Sequence, residues 1–140
     1  MAHLNESIVE VKAEDNCLAH ALKIGIASVH NDANYTAYRR GRNISPVVQA
    51  LLKETGIDLT RSEGFTELNH FHEHFRDYKI VVYQGLWSYD LMFEGQVDSS
   101  KHLNLIYDDV ERHYHVITNL TSAMAKRYYV KHVIEAVSVR

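Results

Sequence analysis

Hydrophobic positions recur at helical spacing through the first half of the chain and in short alternating runs through the second. Leu18, Ala21, Leu22, Ile24, Ile26 and Val29 fall on a 3.6-residue repeat behind Asp15-Asn16, either of which can act as N-cap. This predicts a long helix whose aliphatic coverage is wide enough for the centre of a core. Ahead of it, Ser7–Ala13 places Ile8, Val9 and Val11 among polar residues and predicts a short strand. Residues 31–43 are polar and basic, either loop or short helix. Ser45 and Pro46 then open a second helix carrying Val47, Val48, Leu51 and Leu52, which Gly56 ends. A third helix is predicted over Thr66–Phe75, after Gly64. From there YKIVVYQG, DLMFEGQ, HLNLIYDD and HYHVITNL are short, β-branched and aromatic, with turn residues between them. The expected architecture is α+β: helices first, then a small antiparallel sheet packed on the central helix. The tail Ala123–Val139 fits either a helix or a last strand.

Composition narrows the classes. The chain has 140 residues, 46% of them hydrophobic and 24% charged, the balance of one folded domain. Fifteen basic against eighteen acidic residues give a net charge of −3, which disfavours a general nucleic-acid binder. A single cysteine excludes an internal disulfide and a multi-cysteine zinc site. No apolar run approaches the ~18–20 residues of a membrane span, and the N-terminus lacks a signal-peptide pattern. A monomer of a reducing compartment, cytoplasmic or host-cell cytosol, is the expectation.

The chemistry centres on that cysteine. Cys17 falls at the predicted start of the central helix, where free N–H groups and a partial positive charge favour a thiolate and can receive an oxyanion. Otherwise a lone cysteine on an apolar helix serves as a small buried hydrophobe. A thiol nucleophile needs a base. His113 and His115 share one face of a predicted strand, and Glu111 falls on the same face two residues earlier. A carboxylate so placed can fix the tautomer of an imidazole. Cysteine first and histidine far downstream is the order of a papain-type protease.

These residues also carry a resemblance. Asp15–Leu22, DNCLAHAL, resembles the nucleophile block of ovarian-tumour-type (OTU) cysteine proteases, and His113-Tyr114 with the apolar strand after it resembles their histidine block. The pair DNCLAHAL and HYHVITNLTSAMAKRYYVKHV is closer still to viral tegument-like deubiquitinases of mobile-element and viral origin. The two blocks span roughly thirty residues and leave the middle unmatched. The resemblance implies a papain-like fold, Cys17 as nucleophile, His113 as base, ubiquitin as substrate and no cofactor. Glu111 would stand in the acid-x-His position of tegument proteases; His115 would stand where OTU proteases keep the orienting residue. The Cys17 amide, with Asn16 or Asn5, would bind the oxyanion, and Asp15 belongs to the same block. Asp108, Asp109 and Asp90 are the candidates to meet the arginines before ubiquitin's terminal Gly-Gly.

Two other constellations compete. His70, His72 and His74 would form a metal claw on a strand, but in a helix only His70 and His74 face one another. A zinc or nickel module using that pair, with His113 or His115, is the alternative enzyme or binding reading. Arg39, Arg40 and Arg42 beside Tyr35 and Tyr38 could instead serve a non-catalytic module of a mobile-element protein, contacting phosphates or a partner surface.

Overall fold

The computed structural model describes residues 7–84 and 90–123. The elements run β1 (Ile8–Val9), α1 (Cys17–Val29), α2 (Tyr35–Arg39), α3 (Ser45–Thr55), α4 (Phe65–His74), β2 (Lys79–Gln84), β3 (Leu91–Glu94), β4 (His102–Asp108) and β5 (His113–Ile117). Residues 120–123 begin a further helical turn; the rest of the ambiguous tail lies outside the described residues.

The α+β expectation holds, but the sheet is mixed. Its five strands lie in the order β1-β5-β4-β2-β3. β2 and β3 form an antiparallel pair, and β4 then lies on the far side of β2 rather than beside β3. Successive strands alternate direction, so this placement makes β4 parallel to β2. β2 thereby becomes interior, which suits its consecutive buried Ile80, Val81 and Val82. The alternation that reads as a plain meander in sequence carries no information about which side of β2 the fourth strand will take.

α1 lies across one face of the sheet, and nine of its thirteen residues are buried. Leu18, Leu22 and Ile24 share a core with Leu103 and Leu105 of β4, Tyr114 and Val116 of β5, and Val48 and Leu51 of α3. Gly25 lets the helix close on the sheet: a Cβ there would lie 3.4 Å from Leu103 and 3.9 Å from Val116. Ile8, Ile106, Ile117 and Ala123 form a smaller cluster on the opposite face, the one that also carries His113, His115 and Asp108 by strand alternation. α3 ends as its sequence predicts, with Gly56 left-handed at φ 71° and its N–H donating to the Leu52 carbonyl.

Candidate active site

Cys17 is the first residue of α1 and sits against β5. Its thiol donates to the Tyr114 carbonyl and accepts from the Tyr114 amide, each at 3.2 Å. The register of β1 on β5 explains this position. Ile8 pairs with Ile117 and Val9 with Val116, so one further step of the ladder would set Val11 against Tyr114. That step is missing. The Val11 carbonyl accepts instead from His113 Nε2 at 2.7 Å, and the Val11 amide donates to His115 Nδ1 at 3.2 Å. The thiol takes the Tyr114 groups that Val11 would have used. The Val11 and Tyr114 backbone groups are all satisfied, and three side chains do it. This shortens β1 to two residues, where the sequence pattern predicts Ser7–Ala13.

The backbone of one residue, Val11, thus fixes both imidazoles. His113 gives its Nε2–H to a carbonyl, so in the neutral ring Nδ1 carries the lone pair. His115 accepts at Nδ1, so its proton is on Nε2. The rings lie 5.0 Å apart at 43°. His115 is buried, and burial, helped by the neighbouring His113, depresses its pKa to about 4.

The hydrogen-bond partner of His113 differs from the one expected. Glu111 is exposed in the turn between β4 and β5 rather than on the strand, and the hydrogen bond of His113 goes to Val11. The turn forms because the buried Asp108 accepts from the amides of Val110 and Glu111 through Oδ1, with Arg112 left-handed at φ 55°. Asp108 is thereby occupied at Oδ1 as a buried turn acid, not the exposed carboxylate expected to meet an arginine. Asp109 and Asp90 are exposed, and Asn5 lies outside the described residues.

The helix start departs from expectation in a second way. Asn16 occupies the N-cap in the left-handed region at φ 54°, and no side chain of the cap position bonds to the helix. The first-turn amide of Leu18 donates to Glu63 Oε1 at 2.9 Å. Glu63 precedes α4 and is 45 residues distant in sequence, so nothing in the local pattern of either segment announces the pair. Its own carbonyl accepts from the Tyr114 hydroxyl, and burial raises its carboxyl above the usual carboxylate range. A cleft of about 400 Å³ opens beside it, lined by Leu59, Arg61, Met92, Tyr107 and Arg112 among others.

The thiol itself is not the accessible, acidified group that a helix start suggests. Cys17 is 3% exposed, and burial pushes its pKa up to about 12, the Glu63 charge adding to this and the Tyr114 amide opposing it. The helix-end charge that would favour a thiolate is instead met by the Glu63 carboxylate, and Sγ faces the sheet rather than solvent.

The metal candidates fare differently from one another. Asp108, Glu111 and His115 each place a ligand atom within 4.8 Å of the others, the one such group among the described residues. A metal at Nε2 of His115 needs a lone pair there, yet the Val11 amide aimed at Nδ1 keeps the proton on Nε2. The Val11 hydrogen bond to this ring therefore works against an ion at the group. On α4 the three histidines diverge, as a helix requires. His70 and His74 face a cleft shared with Glu54 and Glu73, with His74 Nε2 4.0 Å from Glu54. His72 stands edge-on to Phe93 and against Gly95, where a Cβ would come 2.4 Å from its ring. Gly95→Ala is expected to cost about 1–3 kcal/mol by overpacking, and much less in a His72→Ala background, as thermal melts of the four variants of that cycle would read. Arg39, Arg40 and Arg42 are exposed on and after α2, with Arg39 stacked over the Tyr35 ring.

Comparisons with protein-family models, curated proteins and solved structures find no match for this chain. Among the described residues no helix is long and apolar enough to cross a membrane.

Proposed function

We propose that this chain is a papain-like cysteine protease that cleaves after the C-terminal glycine of ubiquitin. The observation that carries the reading is the split ladder, which gathers Cys17, His113 and His115 at one position between β1 and β5. The Tyr114 amide that holds Sγ lies two bonds from the His113 Cα, so the thiol is within about 6 Å of that atom. The Val11 carbonyl selects the His113 tautomer whose Nδ1 lone pair can take a thiol proton.

In the reaction His113 removes that proton, and Sγ attacks the glycine carbonyl carbon. Amides at the start of α1 stabilise the oxyanion. The C–N bond breaks as His113 returns the proton to the leaving amine, leaving a thioester. Water, deprotonated by the same histidine, then releases the glycine carboxylate and restores the thiol. The free thiol this chemistry requires suits a reducing compartment. Ubiquitin as substrate rests on the DNCLAHAL and HYHV blocks.

A second reading, a non-catalytic module, is favoured by the buried thiol and its pKa near 12. Ubiquitin bearing a C-terminal electrophile separates the two. A covalent adduct that Cys17→Ala abolishes supports the protease; no adduct, in a preparation whose Cys17 is reduced and alkylatable, favours the module.

A further inference from the structure

We propose that Glu63 is a built-in occluding residue, tying the segment before α4 across the start of α1 and holding Cys17 in an unreactive state until it is displaced. The inference rests on the protease reading for its purpose but not for its test. Glu63 is bonded at both ends. Its carboxylate takes the Leu18 amide at 2.9 Å, and its carbonyl takes the Tyr114 hydroxyl. Those two residues directly follow the candidate nucleophile, Cys17, and the candidate base, His113. One residue therefore fastens the helix carrying the thiol to the strand carrying the imidazole.

The position has a chemical consequence. A first-turn amide is where developing negative charge on a substrate oxygen is best received, and here a protein carboxylate already fills it. The same negative charge opposes ionisation of the nearby thiol. Around the Glu63 carboxylate stand His113 from β5, His20 from α1 and Asp15 just before α1, with the Tyr107 and Tyr114 phenols on β4 and β5. Burial, with Asp15, raises its pKa, and the Leu18 amide and the two histidines oppose this. Glu63 stands on the wall of the cleft that Arg61 and Arg112 line, so a ligand entering there meets the residue bonded to the first turn of α1.

Cys17 is the sole cysteine of the chain, so its alkylation by iodoacetamide can be followed by intact mass without ambiguity. In the reduced 140-residue chain the rate should be slow, with a high apparent thiol pKa. Glu63→Gln keeps a hydrogen-bond acceptor and removes the charge, and its alkylation midpoint should move to lower pH. Below that midpoint the rate gain is about tenfold for each pH unit moved. Glu63→Ala, losing acceptor and charge together, should gain more. Unchanged profiles in both variants would overturn the proposal, as would a gain in Glu63→Gln that appears only with loss of its cooperative thermal melt. Ubiquitin-electrophile labelling run alongside distinguishes the two failures. Faster alkylation in Glu63→Gln with no ubiquitin adduct in any variant keeps the occluding role and removes the protease. Equal ubiquitin labelling of wild type and Glu63→Gln, with alkylation unchanged, does the reverse.

Discussion

His113→Ala is expected to slow hydrolysis of a ubiquitin C-terminal fluorogenic amide by about 10²–10⁴-fold, the range over which a positioned acid–base group contributes. On the protease reading the ring has two tasks, taking the thiol proton and returning one to the leaving amine. His115 is held with its lone pair on the Val11 amide and its pKa depressed to about 4, so it is a poor proton acceptor at neutral pH. Glu111→Ala should leave the rate little changed, because the group that fixes His113 is the Val11 carbonyl and the Glu111 carboxylate is exposed. Measured kcat/KM for the two alanine variants checks this directly. Full activity in His113→Ala removes this histidine as the base; a Glu111→Ala loss as large as that of His113→Ala would return the orienting role to the acid.

The second large effect is on stability. His115 is buried and neutral in the folded chain, with a pKa of about 4 against the ordinary 6.5. In the unfolded chain the same ring takes up a proton below about pH 6.5. Between these values the unfolded state binds more protons, so the fold loses stability as pH falls from about 6.5 toward 4. The full difference amounts to about 3 kcal/mol, reached near the lower end of that window. Glu63 acts with opposite sign, because burial raises its carboxyl and makes protonation favour the fold. Comparison with His115→Asn separates the contributions: its amide oxygen can still accept from Val11 but does not titrate. Urea unfolding at several pH values should show wild type losing stability through this window more steeply than His115→Asn. Parallel slopes would show that His115 is not the group responsible.

The buried cluster of α1, the Gly56 stop of α3, the helical spacing of His70 and His74, and the four later strands were all legible from the sequence. Each depends on neighbours within a few residues, where periodicity and turn chemistry act directly on the backbone. The placement of Cys17 at a helix start and of His113 and His115 on one strand face was legible for the same reason. The sequence pattern by itself determined an α+β chain with one thiol at the head of its central helix and two imidazoles together on a late strand. Only the tertiary structure decided that β4 runs parallel to β2 and that Val11 leaves the ladder to hold both rings. It also decided that Glu63 takes the amide which Asp15 or Asn16 was expected to cap. Each of these pairs groups from segments far apart in the chain, 102 residues apart for Val11 and His113. Their partners are chosen by which buried backbone groups would otherwise go unsatisfied once the sheet and helix have packed, a condition that no local pattern of residues contains.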